Sequence, residues 1–172
     1  MDALRHPIGP PPALLGPLTP IERADYLRQL ADLPAQLAAA TEGLGPERLQ
    51  LPYRPGGWTG RQVIHHLADS HLNAYCRCKL ALTEANPTIK PYDEAAWAEL
   101  PDVAAVPAAV SLALLASLHQ RWVALLAPLP ATAWQRTFYH PENRQTTTLD
   151  QALATYAWHG RHHLAHLGLL GA

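Results

Sequence analysis

The sequence predicts an all-α domain, a four-helix bundle with a long crossover between its second and third helices and a short hairpin before the last. Three observations carry that prediction: long stretches free of proline, a capping box at the start of three helices, and no sustained apolar/polar alternation between them. Of 17 prolines, six fall in the first 20 residues, so residues 1–18 read as an extended, proline-rich lead-in. Gly56 to Asn86, Ala108 to Ala127 and Glu142 to Ala172 contain none, and long helices fit there.

Each element follows in order. Thr19 and Glu22 form a capping box, in which each side chain satisfies an otherwise orphan backbone N–H, and Pro20 at the first helical position is already set at a helical φ. This first helix is expected to run to about Thr41, with a kink or split at Pro34. Thr59 and Gln62 open the second, with Trp58 and Val63 as a hydrophobic staple, and it continues to about Leu82. Ala108 to Leu126, rich in alanine and leucine, is the third. Thr148 and Gln151 cap the fourth, which runs to about Leu167, ahead of Gly168. Thr83 to Pro107 is too long for a passive link and has room for a short helix within Asp93 to Leu100. Trp134 to Thr148, around Pro141-Glu142-Asn143, reads as the hairpin. No repeat or internal boundary interrupts the chain, so residues 1–172 read as a single domain.

Composition excludes several functions. The chain has 172 residues, with 13 Lys+Arg against 14 Asp+Glu and a net charge of −1. Only Lys79 and Lys90 are lysines, so there is no basic field for nucleic acid. No apolar run approaches a membrane span of roughly 18 residues, and Met1 opens no signal-peptide pattern. Cys76 and Cys78 stand two apart, on nearly opposite sides of a helix, which makes a poor disulfide. The expectation is a cytoplasmic protein in a reducing compartment.

Histidine is the anomaly. Of 10, seven lie in two short segments: His65, His66 and His71, then His159, His162, His163 and His166. Near a helix C-terminus such residues can simply complement the dipole, so helical phase is the discriminating test. At about 100° per residue, Leu149, Leu153, Tyr156, Gly160, Leu164 and Leu167 form one apolar seam. Counted from Leu149, His163 falls at about 320° and His159 at about 280°, on the shoulder of that seam; His166 at about 260° and His162 at about 220° turn toward solvent. On the second helix the seam runs through Val63, Leu67, Ser70, Ala74, Cys78 and Ala81, with His66 on its shoulder and His65 pointing away. His71 lies among apolar positions as a hydrogen-bonded core residue. His65, His162 and His166 are thus expected to be solvated or helix-end residues, and His6, His119 and His140 carry no signal. His66, His159 and His163 remain as three inward imidazoles, two of them one turn apart, and three ligands leave a coordination position open, as in catalytic metal sites. Gly160 inside the helix points to close backbone approach or room for a ligand. Trp58, Trp97, Trp122, Trp134 and Trp158 read as core and pocket wall.

The stretch Gly56-Gly57-Trp58-Thr59, Arg61-Gln62-Val63 and His65-His66-Leu67-Ala68-Asp69-Ser70-His71 closely resembles the YfiT-like branch of the DinB superfamily. The likeness continues through Leu82-Thr83-Glu84, Pro91-Tyr92-Asp93-Glu94, Trp97, Leu118-His119, Arg121-Trp122, Tyr139-His140-Pro141 and Tyr156 to His166, and His6-Pro7-Ile8-Gly9 is similar to that branch's opening. The resemblance implies a four-helix bundle, a homodimer, and one divalent ion per chain on His66, His159 and His163. It also implies metal-dependent hydrolase chemistry, or S-transfer of a low-molecular-weight thiol such as bacillithiol.

Three neutral imidazoles leave the ion its full charge for an exogenous ligand. Thiol transfer to an electrophile is the first expectation and hydrolysis by metal-activated water the second. A non-catalytic, metal-binding dimeric module is the third. No Glu is placed as in H-E-x-x-H, which favours the thiol. Asp69, one turn after His65 and His66, is the candidate to orient a ligand or accept a proton, with a surface helix carboxylate as its alternative reading. Asp93 and Glu94 are further candidates for the base. Ligand type does not choose the metal; zinc is expected first and nickel next. The expected partners are a small thiol and an electrophilic or hydrolysable substrate, with no nucleic acid and no membrane.

Overall fold

A computed structural model describes residues 3–171. Residues 3–18 contain turns but no helix or strand, and the first two residues of the expected lead-in lie outside the described residues. The helices are α1 (Pro20–Arg48), α2 (Gly60–Thr83), α3 (Glu94–Trp97), α4 (Pro101–Ala105), α5 (Ala108–Leu126) and α6 (Leu149–Leu169). A 3₁₀ turn, Ala131–Gln135, precedes the hairpin of β1 (Thr137–His140) and β2 (Gln145–Thr148).

All three capping boxes form. The backbone N–H groups of Glu22, Gln62 and Gln151 donate to the hydroxyls of Thr19, Thr59 and Thr148 at 3.3, 3.2 and 3.2 Å. The N–H groups of the three threonines donate back to the carboxylate of Glu22 and the amide oxygens of Gln62 and Gln151 at 2.7, 2.9 and 2.9 Å.

The expected interruption of α1 is displaced. The backbone stays helical through Pro34, and the break falls at Gly45, with φ 71° and ψ 169°. A residue before proline is disfavoured in the α region, and glycine reaches positive φ without a Cβ penalty; Gly45-Pro46 is therefore the weaker point. The helix also runs past Thr41 to Arg48.

Four long helices form the bundle. α1 packs on α6 and α5, and α2 packs on α5 and α6. The sequence neighbours α1 and α2, and likewise α5 and α6, are thus related across the diagonals of the bundle. This arrangement brings α2 against α6, the two helices that carry the clustered histidines. Gly160 sits where α6 meets α1: a Cβ there would stand 2.2 Å from Leu33 Cδ2. Close approach, not room for a ligand, accounts for that glycine.

The α2-to-α5 crossover carries α3 and α4, of which only the first was expected. Asp93 caps α3, accepting from the Ala96 N–H at 2.9 Å. The crossover is pinned to the hairpin by Ile89 N–H to Tyr139 C=O (3.0 Å) and Tyr139 N–H to Pro87 C=O (2.8 Å). β1 and β2 are antiparallel, with Thr137 opposite Thr148 and His140 opposite Gln145.

By length and composition α5 is apolar enough to cross a membrane, which corrects the expectation that no run approaches that length. In the fold its Leu115, Leu118, Trp122 and Leu126 are buried in the bundle core. Cys78 is buried, Cys76 is exposed, and both are free thiols.

One buried ion pair ties the ends together. Arg23 on α1 forks onto Asp150 in the first turn of α6 at 2.7 and 2.9 Å. Asp150 Oδ2 also accepts from the Leu18 N–H at 3.1 Å and from Gln135 Nε2 at 2.9 Å. Asp150 is 1% exposed, so its removal strands four donor nitrogens from three residues. Asp150→Ala is expected to cost about 3–5 kcal/mol in urea unfolding, the range for breaking one side of a buried pair. A loss below about 1 kcal/mol contradicts this account.

Candidate metal centre

The diagonal arrangement sets His66 of α2 beside His159 and His163 of α6. One ligand atom from each lies within 4.8 Å of the other two. These are the three residues that helical phase selects. His66 Nε2 and His159 Nε2 are 3.3 Å apart. Two imidazole nitrogens, each about 2.0–2.1 Å from a tetrahedral ion, stand roughly 3.3–3.4 Å from each other, so the spacing fits a shared ion. Trp58 covers the group, with ring centroids 4.6 Å from His66.

Burial determines the charge of this cluster. Desolvation pulls His66 down to about 4, and desolvation followed by mutual repulsion takes His159 and His163 well below the ordinary value. The neutral imidazole favoured here is the form that binds metal. The group itself is three imidazoles with no carboxylate among them, and Glu94 lines the cavity beside it.

The remaining histidines are more ordered than the sequence reading expected. His71 is fully buried, as anticipated; its Nδ1 is 2.8 Å from His119 Nε2 and its Nε2 is 3.2 Å from His159 Nδ1. His119, which carried no signal, is itself buried, with Nδ1 2.6 Å from the Leu30 carbonyl. His65, expected in solvent, is 6% exposed and contacts Ser111 Oγ at 2.7 Å and the Val106 carbonyl at 3.1 Å. His162 and His166 are also buried, at 7% and 2% exposure. His162 stacks on Trp158 at 4.6 Å, and His166 stacks on Tyr53 at 4.0 Å. Helical phase places His166 only about 20° from His159, and segments remote in sequence cover that shoulder. His6 lies 6.0 Å from His162 between ring centroids. His140, at the end of β1, borders the cavity behind the centre.

Two cavities meet at the centre. One, of about 330 Å³, is lined by Arg5, His6, Tyr53, Arg54, Trp58, Trp158 and the histidine cluster. The other, of about 1060 Å³, is lined by Ser70, Asn73, Arg77, Lys90, Tyr92, Asp93 and Tyr156 among others. Glu94 and His159 line both. Arg77 donates to the Tyr156 hydroxyl at 3.1 Å. Asp69 is not brought to this site: it is half-buried, lines neither cavity, and has its carboxyl pushed up by burial and then by Asp102 of α4. Sequence reading named Glu94 but missed Arg77, Tyr156 and Tyr53. Arg77 stands on the polar flank of α2 outside any motif, whereas Tyr156 reads from sequence only as part of the α6 seam and as the start of the family-like stretch to His166.

The sequence profile of the DinB superfamily matches residues 29–167. A relative from Bacillus mycoides (strain KBAB4), named "Putative metal-dependent hydrolase", is 51% identical over 97% of this chain and 95% of its own length. A relative of the same name from Bacillus pumilus is 49% identical over 97% of this chain and 94% of its own. Among solved structures, YfiT from Bacillus subtilis superposes with a TM-score of 0.94 at 46% identity, covering 98% of this chain and 95% of its own. It is described as "a probable metal-dependent hydrolase with an unusual four-helix bundle topology".

The buried histidines set an acid limit. Their folded values lie below the ordinary 6.5, so the unfolded chain binds more protons as pH falls. Stability is therefore full above about pH 6.5 and declines toward about pH 4. In metal-free protein the urea midpoint is expected to hold above about pH 6.5 and to fall steadily from there to about pH 5, and a flat profile across that window contradicts the assignment.

Proposed function

The chain belongs to the DinB superfamily, and from that premise we propose that it is a metal-dependent enzyme whose ion is held by His66, His159 and His163. In this reading a low-molecular-weight thiol is transferred to an electrophilic small molecule. When bound, a divalent ion on three neutral imidazoles favours the deprotonated form of a thiol or water at its open position. The observation that carries the two-substrate reading is the pair of cavities meeting at Glu94 and His159, which gives each substrate its own approach.

The protein's residues then divide the work. Glu94, on both walls, takes the proton released by the thiol, and the sulfur forms a bond to the electrophilic carbon as the leaving group departs with its electron pair. Arg77, oriented by its hydrogen bond to Tyr156, and Lys90 hold an anionic portion of the substrate in the larger cavity. Trp58 closes one side of His66 and limits water there. Zinc is the first choice of ion and nickel the next. The same reading includes a homodimer.

Hydrolysis is the second reading, favoured by the names of the relatives. Water then replaces the thiol, and Glu94 serves as its base.

Elemental analysis is expected to find about one ion per chain, lost in His66→Ala, His159→Ala and His163→Ala. On the cobalt-substituted protein, an added small thiol is expected to produce a thiolate-to-metal charge-transfer band. An unchanged spectrum sinks thiol transfer and leaves hydrolysis. Glu94→Gln is expected to lower turnover about 100-fold or more at unchanged metal content, within the usual range for a general base. Loss of metal in that variant shows instead that Glu94 supports the site.

A further inference from the structure

Pro34 has no N–H, so within α1 it leaves the carbonyl of Leu30, four residues earlier, without its helical partner. His119 Nδ1 lies 2.6 Å from that oxygen. A carbonyl only accepts, so Nδ1 carries the proton, and in a neutral ring Nε2 is then bare. His71 Nδ1, 2.8 Å from that bare nitrogen, must donate. This leaves His71 Nε2 bare, and the proton in its 3.2 Å contact belongs to His159 Nδ1. His159 ends with a bare Nε2, the atom that faces His66. Leu30, His119, His71 and His159 come from α1, α5, α2 and α6, so a single hydrogen-bonded chain crosses all four long helices.

A second chain of the same logic reaches His163. The Arg5 carbonyl, 3.2 Å from His166 Nε2, accepts a hydrogen bond from it, so Nε2 carries the proton. His166 Nδ1 is then bare and accepts from His163 Nδ1 at 3.2 Å, leaving His163 with a bare Nε2. Neutrality of these rings follows from their surroundings: His71, His119, His163 and His166 are buried, His159 is partly buried between them, and no described carboxylate forms a salt bridge with any of the five.

We propose that His71, His119 and His166 are positioning residues: two relays, anchored on the carbonyls of Leu30 and Arg5, lock His159 and His163 as Nδ1–H tautomers and aim both Nε2 lone pairs at the metal position. The ion itself rests on the function proposed above, whereas the order of protons belongs to the protein alone. A ring protonated at Nε2 cannot ligate through that atom, so each relay selects the competent form before any ion arrives. Pro34 is part of the device, because a residue with an N–H there would compete for the Leu30 oxygen.

The first measurement is made on metal-free protein labelled with ¹⁵N-histidine, where two-bond ¹H–¹⁵N correlations identify the protonated nitrogen of each ring. His159, His163 and His119 are expected to carry the proton on Nδ1, and His166 on Nε2. An Nε2–H form of His159 or His163 overturns the proposal. The second measurement is zinc affinity. His119→Phe fills the ring's space without its nitrogens and is expected to scramble the His159 tautomer and weaken zinc about 10–100-fold. His119→Gln, which keeps an N–H for Leu30 and a carbonyl for His71, is expected to restore both. His166→Phe tests the second relay should His119→Phe fail to fold. A folded Phe variant with wild-type zinc affinity overturns the proposal. Wild-type protein that shows the stated tautomers but takes up no zinc overturns the metal reading alone.

Discussion

Burying uncharged imidazoles inside a helical bundle is the constraint on which the rest of this structure depends. A histidine held away from water is tolerated only when neutral and hydrogen-bonded, and each neutral ring has one donor and one acceptor to place. His71, His119 and His166 meet that requirement by donating their N–H hydrogen bonds in one direction, from ring to ring or to a backbone carbonyl. His159 and His163 stand at the other ends of those chains, where their remaining nitrogens face one another and His66. The nitrogens of His66, His159 and His163 thus converge on one point, which is where the proposed ion would sit.

The order of the helices in the bundle serves the same end. With α1 and α2 on one diagonal and α5 and α6 on the other, α2 and α6 come into contact although more than sixty residues separate them. The Arg23–Asp150 fork and the three capping boxes hold the helix starts in register, and Gly160 lets α1 approach α6. The long crossover then supplies what the four helices do not. Its short helix α3 brings Glu94, the carboxylate shared by both cavities, to the edge of a site built otherwise of nitrogen donors.

Helix-local features were legible from the chain. Thr19, Thr59 and Thr148 cap where a Thr-x-x-Glu/Gln pattern says they do, because both partners of each hydrogen bond lie within four residues. His66, His159 and His163 were legible for a related reason: one helix fixes the angle between its own residues, and an apolar seam shows which way that helix faces. The same angular rule misplaced His65, His162 and His166. Each sits where a lone helix would expose it, and each is met by something distant in sequence: Ser111 and Val106 over His65, His6 near His162 (which also stacks on Trp158 of its own helix), and Tyr53 and Arg5 over His166.

The sequence by itself therefore determined the helices, most of their ends, and the three imidazoles that converge, since all of these depend on spacing along one element. Tertiary structure alone decided which helices touch, that Pro34 frees a carbonyl where His119 needs one, that Asp69 turns away while Glu94 borders the site, and that most of the clustered histidines join ordered chains. Those outcomes depend on which remote groups arrive beside a given ring, and hydrogen bonding between such groups leaves no periodic trace along the chain.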